Sequence, residues 1–530
     1  MSGGRDRRRM QGRSRRGVLA ALGTGLSGLA GCQTGAEDST TTTTARPTTS
    51  TWSVDPLDHD RVVGAYYYTW YRPAYAGEAP WTTWVPDDEP VLGAYDSRDP
   101  AVINQHVAWA LEHGINWFNI SWARAGSWDD GRFIQDYFLP TALGSAIDFS
   151  VFHEGVEFDR REDGAVSFDD AENRRKLRRD FQYFEQAYFG EPNYLTIDDR
   201  PVVSYYAAHE FTGAVDTAIQ AARAAIDADP YLIACVLGAN TTTGVRTEVA
   251  TPWIDAVDAV TGYSLYDGAV TADYATYRDW ATRELERWAL VADSVDAAYV
   301  PTLLPGLNDT QIPDRPDRYK HPVLPRDPAA FEGLGRAAVE RADPDLDAVL
   351  VTSFNEWPEY TAVEPSTDFG TTYLQAIRDG VAAHDPATRF DPAAFPMVQL
   401  RFDRTVPGPE NPIQLALMCD RLSVAGDAAT YDVGDPDREP MFVEGAFPAK
   451  HTPDDPHVPY ATWRWFGGPT ARTTLFLAPT LADATTMTIQ GTAPPFAETS
   501  IGVDVLVDGT VTDHVTVAPD PGTYEVALTA

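Results

Sequence analysis

Cysteine and lysine are almost missing from this chain. Cys32, Cys235 and Cys419 are the three cysteines among 530 residues, too few for a disulfide framework or a spaced metal cluster. Cys235 lies inside the apolar run YLIACVLGA and reads as a small buried hydrophobe. The lysines are also three, Lys176, Lys320 and Lys450, so the 41 basic residues are nearly all arginine and stand against 78 acidic ones, a formal net charge of -37. No basic footprint is left to neutralise phosphates, which argues against nucleic acid as a partner. A uniformly anionic, lysine-poor surface suits very high salt, where screening removes its self-repulsion, and the sequence is read as halophilic. The histidines His106, His113, His153 and His209 have no ligand spacing, so neither a metal nor another cofactor is expected.

What the N-terminus does contain is RSRRGVLAALGTGLSGLAGC, with twin arginines Arg15 and Arg16 ahead of a weakly apolar stretch. The stretch is too short to span a bilayer and has the layout of an export signal. It resembles a twin-arginine signal (residues 1–31) that ends in a lipoprotein lipobox, with Cys32 as the lipidated first residue of the mature chain. The expected localisation is exported and membrane-anchored at the cell surface, the membrane being a partner only through a lipid on Cys32. Residues 32–58 are Thr-rich, without apolar periodicity, and read as an exposed tether.

From Arg61 short apolar or aromatic runs alternate with stretches of helical spacing. The runs are RVVGAYYYTW, INWFNISW, DFSVFHEG, PVVSYYA, YLIACVLGA, AVTGYSLY, YVPTLLPG and AVLVTSFNEW. The first intervening helix is delimited by Asp99 as N-cap, Pro100 at its first position and Gly114 as its stop. Buried strands alternating with amphipathic helices imply a parallel sheet, and eight such units imply an α/β fold, a (β/α)8 TIM barrel over residues 59–388; a doubly wound open sheet is the alternative. After about residue 390 the helical spacing stops. SIGVDVLVDGTVTDHVTV alternates, with Ile501, Val503, Val505 and Val507 on one face and Asp508-Gly509 as a hairpin turn, so residues 395–530 read as a C-terminal all-β sandwich. Trp463 and Trp465 share a face of one strand there, expected to serve inter-sheet or barrel packing ahead of a sugar platform.

In such a barrel the reactive side chains stand at the C-terminal ends of the strands. Those ends hold Tyr67, Tyr68 and Trp70; Ser121 and Trp122; His153 and Glu154; Tyr205 and Tyr206; Asn240; Tyr263 and Tyr266; Asn308 and Asp309; Asn355, Glu356 and Glu359. Aromatic faces with carboxylates and amides suit a carbohydrate, whose C–H faces stack on rings while its hydroxyls take polar partners. Two carboxylates held close cannot ionise equally, so one is kept protonated for acid catalysis. Retaining glycosidases hold such a pair about 5–5.5 Å apart, within reach of positions 356 and 359 flanking a bend. Glu364, beside Pro365, reads as a structural or loop residue.

The segments GAYYYTWY, LGAYDSRDPAVINQHVAWALEHGINWFNISW, PTLLPGLNDT and above all VTSFNEWPEYTAVEP resemble the glycoside hydrolase family 99-like group, which includes endo-α-mannosidases and WbsX-like domains. The resemblance spans about residues 61–383. It implies a retaining mechanism in which Glu356 takes the proton of the 2-hydroxyl, whose oxygen displaces the leaving group through a 1,2-anhydro sugar, while Glu359 protonates the departing oxygen and then activates water. It also implies a sugar-binding amide at Asn355 and a substrate contact at Glu154. The strand-end reading adds Tyr67, Tyr68, Trp70, Trp122, His153, Tyr205, Tyr206, Tyr263 and Tyr266 as further substrate-binding candidates. The chain departs from the family in having Pro358 and Tyr360 where His and Gly are usual.

The leading reading is an exported, lipid-anchored glycoside hydrolase, endo-acting on an α-linked surface or environmental oligo- or polysaccharide. One alternative is a WbsX-like transferase or processing enzyme of glycan assembly, though no phosphate-cradling glycine-rich loop is evident for an activated donor. The other is a non-catalytic glycan-binding lipoprotein that keeps the aromatic cleft.

Overall fold

The computed structural model describes residues 52–529 apart from 73–80, 82–87, 127–130, 163, 238–252, 267–269, 311, 313–320, 409–413, 425–428, 433–440, 447–449, 452–459, 461, 469, 495 and 498. The signal, Cys32, nearly all of the Thr-rich tract and Asn240 lie outside the described residues.

Eight parallel strands form the first sheet: β1 Val62–Tyr67, β2 Trp117–Trp122, β3 Asp148–His153, β4 Arg200–Tyr205, β5 Tyr231–Leu237, β6 Ala259–Gly262, β7 in two pieces, Ala298–Tyr299 and Thr302–Leu303, and β8 Ala348–Val351. They pair in chain order, and β8 returns to pair with β1. Closure runs through the broken strand. The first piece of β7 pairs with β6 and the second with β8. At the joint Val300 donates its N–H to the Val260 carbonyl at 3.1 Å, and the carbonyl of Pro301, which has no N–H to give, accepts from Leu350 at 2.9 Å.

Helices α1 Pro100–Glu112, α2 Gly131–Phe133 running on as Ile134–Phe138, α3 Ala171–Ala187, α4 Val215–Arg223, α5 Tyr274–Ser294, α6 Pro328–Arg341 and α7 Thr372–Ile377, continued by Arg378–Ala382, surround the barrel. Part of the acidity starts these helices. Asp99, Asp170, Asp273 and Asp327 each accept a backbone N–H of the first turn of α1, α3, α5 and α6, a cap that contributes about 1 kcal/mol.

The period-two alternation of a strand divides the core in two. Val63, Ala65 and Tyr67 of β1 face the helices together with Phe118, Ile120, Phe149, Val151 and Val203. Tyr66 and Tyr68 face the barrel axis, in one cluster with Trp117, Phe152, Ile233, Cys235 and Leu350. Gly64 also points to the axis, where a Cβ would lie 2.2 Å from the Trp117 ring, so no larger residue fits there. At the barrel floor, where the strands begin, Leu57 donates its N–H to the Leu111 carbonyl at 2.9 Å and the His59 ring donates to the Gly114 carbonyl at 3.0 Å.

The residues after 396 form antiparallel sheets. One is ordered β11 Met441–Glu444, β13 Arg472–Phe476, β9 Met397–Phe402, β15 Ile501–Val507 and β16 Thr510–Val517; the other contains β12 Thr462–Gly467, β10 Gln414–Val424, β14 Thr486–Thr492 and β17 Gly522–Ala527. Ile501, Val503 and Val505 are buried between the sheets, and Asp508 and Gly509, both at positive φ, turn the β15–β16 hairpin. Phe476 of β13 leaves this core and joins the helix layer of the barrel, where Phe395 and Met397 also pack. Trp463 and Trp465 are not part of the inter-sheet core as expected. Their rings meet edge to face at 5.2 Å in a cluster of their own with Met418 and Tyr460, because their strand positions face outward from the sandwich.

Candidate active site

Beyond β8 the chain extends the strand by one bond, Phe354 N–H to the Tyr66 carbonyl at 2.8 Å, and then coils into a single helical turn from Glu356 to Thr361. Thr361 N–H reaches the Glu356 carbonyl at 3.2 Å and Tyr360 N–H the Trp357 carbonyl at 3.0 Å. These are the nested bonds of a Schellman ending, whose fifth residue takes the left-handed conformation. Tyr360, at φ 60°, is that residue. Glu356 and Glu359 are three apart on this turn, which puts them on one face with Cβ atoms about 5–6 Å apart. Pro358 fits without loss. The carbonyl its N–H would serve in a helix, that of Phe354, accepts from Val363 at 3.1 Å and Glu364 at 2.8 Å instead.

Glu356 is 5% exposed, its backbone N–H donates to Ser353 Oγ at 2.7 Å, and its Oε2 has no partner among the described residues. Burial, reinforced by the negative charges of Glu359 and Glu154, raises its carboxyl well above the ordinary value. Ser121 Oγ donates to Glu154 Oε1 at 2.8 Å and so fixes that third carboxylate. Across the mouth the Tyr68 and Tyr263 hydroxyls are 2.6 Å apart. Burial holds both phenols, and that of Tyr206, above their usual range, and the nearby glutamates add to it, so all three remain protonated donors. Trp70, half-buried, packs 4.5 Å from the Tyr68 ring. The structure thus brings together Glu356, Glu359, Glu154, Tyr68, Tyr206, Tyr263 and Trp70.

It sends the other candidates elsewhere. Tyr67, Trp122, His153 and Tyr205 are each one residue out of phase with the axis-facing positions and are buried between strands and helices. Tyr67 shares a 3.0 Å hydrogen bond with His106 Nδ1. His153 accepts from Gly155 N–H at Nδ1 and donates from Nε2 to Asp180 of α3 at 3.1 Å, which anchors the loop after β3 rather than a ligand. Tyr266 stands apart, donating to the Pro322 carbonyl with its ring against His321. Asn355 is not an open sugar-binding amide. Its Oδ1 accepts from Tyr68 N–H at 2.7 Å and its Nδ2 donates to the Tyr68 carbonyl at 2.9 Å, so both ends hold the tip of β1.

Residue types alone did not show which partners support the turn. Glu364, fully buried, accepts from Tyr95 OH and Trp357 Nε1, each at 2.8 Å, and bonds His106 Nε2 at 3.0 Å, a structural role in keeping with its expected one. Tyr71 OH donates to the Asn355 carbonyl at 2.7 Å. Among the described residues no group of His, Cys, Asp or Glu is arranged to hold a metal, and no helix is long and apolar enough to cross a membrane.

Comparison with known proteins agrees with this geometry. A family model described as Glycosyltransferase WbsX matches residues 157–377, which include the whole Glu356–Glu359 turn. The chain is 23% identical over 357 residues to a glycoprotein endo-alpha-1,2-mannosidase of Mus musculus, covering 58% of this chain and 70% of that one, and 24% identical over 365 residues to that of Rattus norvegicus, covering 60% and 71%. A solved chain described as a glycoside hydrolase-like protein shares the fold with a TM-score of 0.50 at 18% identity, over 64% of this chain and 98% of that one. Barrel and relatives together define a glycoside hydrolase-type protein. More narrowly, the barrel is WbsX-like and family 99-like in its fold.

Proposed function

We propose that the protein is a retaining glycoside hydrolase that cuts within an α-linked oligo- or polysaccharide, working outside the cell and tethered through a lipid on Cys32. The observation that carries the hydrolase reading is the pair Glu356 and Glu359 on one turn at the barrel mouth; burial favours the protonated form of Glu356, the carboxyl expected as base, so the base acts only from its ionised fraction. Glu356, once ionised, is a strong acceptor for a sugar hydroxyl proton because its pKa is raised, and Glu359, more exposed, delivers a proton to the leaving oxygen and activates water. Glu154 and the phenols of Tyr68, Tyr206 and Tyr263 supply the polar lining, and Trp70 a stacking face. The named relatives are endo-alpha-1,2-mannosidases, which supports an α-mannoside as the first substrate to try.

Incubation of the protein in molar salt with α-mannans and surface glycans should release new reducing ends, and mass spectrometry should find oligosaccharides rather than single sugars. Monosaccharide release alone would refute endo action, and no release from any glycan would refute the hydrolase. The description of the matching family as a glycosyltransferase favours one second reading, transfer of the glycosyl group to a carbohydrate acceptor. It predicts longer products when acceptor sugars are added and little hydrolysis without them.

A further inference from the structure

Tyr360 occupies the position of the turn that must be left-handed, at φ 60°. Glycine takes that conformation freely and a tyrosine does not. The nested bonds of the turn offset part of that cost, and the Asn308 N–H on the Glu359 carbonyl at 2.9 Å fixes the peptide ahead of Tyr360. The group that holds the Tyr360 side chain itself lies in the preceding loop. Arg326, one residue before the α6 cap, passes its stem over Gly306, where a Cβ would be 2.5 Å from its Cγ. Its guanidinium is stacked 4.9 Å from the Tyr360 ring centre, with Tyr373 at 4.1 Å and Phe369 at 5.1 Å around it. Nη2 also donates to the Ala362 carbonyl, just beyond the turn. The arginine therefore grips the strained residue by its ring and the chain after it by its backbone.

We infer that Arg326 is a positioning residue for the Glu356–Glu359 pair, acting by holding Tyr360 left-handed so that the Glu356–Thr361 turn stays closed. The inference rests on the hydrolase reading for its catalytic consequence. Without the guanidinium the Tyr360 ring loses its stacking partner and the left-handed conformation is less favoured, so the Thr361 to Glu356 bond opens more often and Glu359 shifts relative to Glu356. A misplacement of about 1 Å at a reacting group costs on the order of a hundredfold. With glycine at 360 the turn would hold itself and the arginine would be dispensable.

The test is a cycle of Arg326→Ala, Tyr360→Gly and the double variant, followed by kcat, KM and thermal unfolding. Arg326→Ala should lower kcat by roughly ten- to a hundredfold with KM changed much less, and should lower the melting temperature. Tyr360→Gly alone should leave kcat within about threefold, and adding it to Arg326→Ala should restore most of the lost kcat, which a purely structural arginine does not predict. Should Arg326→Ala not fold, Arg326→Lys keeps the charge, loses the planar stack and should follow the same pattern more weakly. An unchanged kcat in Arg326→Ala, or losses that multiply in the double variant, would overturn the inference. If the wild-type protein cleaves no glycan, the hydrolase reading falls separately. The melting temperatures then still decide whether the two residues are coupled, additive shifts counting against the clamp.

Discussion

A buried carboxyl whose negative form is disfavoured on burial leaves two signatures, one in kinetics and one in stability. The folded protein keeps the proton on Glu356 at pH values where the unfolded chain has released it. The native state therefore binds more protons there, and stability falls as pH rises from about 4.5 towards the raised value. Glu356→Gln removes that loss. Its melting temperature should exceed the wild type's at neutral pH, and the gain should shrink to nothing as pH falls to the ordinary carboxylate range; a constant offset would mean that the side chain is not the cause. In kinetics, Glu359→Gln should abolish cleavage of poor leaving groups and spare the first step with activated aryl glycosides, which need no proton. With that variant and such a substrate, kcat/KM should rise with pH if Glu356 is the base, and fall if it is the acid. A 2-fluoro sugar that traps a covalent adduct on Glu356 would replace the anhydro-sugar route with an ordinary double displacement.

At the scale of elements, the barrel strands were legible because each apolar run is bounded and the runs recur eight times. Alternation within a run was harder to phase, since these strands are buried on both faces and nearly every position is apolar or aromatic. That is why Tyr67, Trp122, His153 and Tyr205 passed as cleft residues, while their neighbours Tyr68, Ser121, Glu154 and Tyr206 face or border it. Gly64 held the missing phase: a residue that must be small because a tryptophan fills the axis marks the even positions of β1 as inward. The role of Asn355 was invisible for another reason. A side chain that satisfies both polar groups of Tyr68, 287 residues away in the chain, leaves no local pattern. Asn355→Ala would orphan a buried N–H and a buried carbonyl, so it should cost about 1–3 kcal/mol in denaturant unfolding. An effect confined to KM, with stability intact, would return the residue to the sugar.

The whole molecule carries two stability expectations. Removing salt exposes an anionic surface to its own repulsion, so the melting temperature should climb steeply from low to molar KCl, and a flat response would give the acidity another purpose. Phe476, reaching from the sandwich into the helix layer, joins the two parts. Phe476→Ala should destabilise by about 3 kcal/mol, and ending the chain near residue 390 should leave an apolar patch on the barrel that promotes aggregation. Leu57 and His59 have a different consequence. They are fastened to the end of helix α1 and to Gly114 in the turn that leads into β2, at the floor of the barrel, on the side opposite the mouth. If Cys32 bears a lipid, the chain length from it to Thr51 allows a reach of at most roughly 70 Å to the point of attachment behind the barrel. A tether entering at the floor would leave the cleft unobstructed, open to whatever drifts in from the surroundings. Such a rear leash would limit how far the protein strays without fixing which way its mouth turns, so passing polymer and glycans of the cell's own surface would both come within reach.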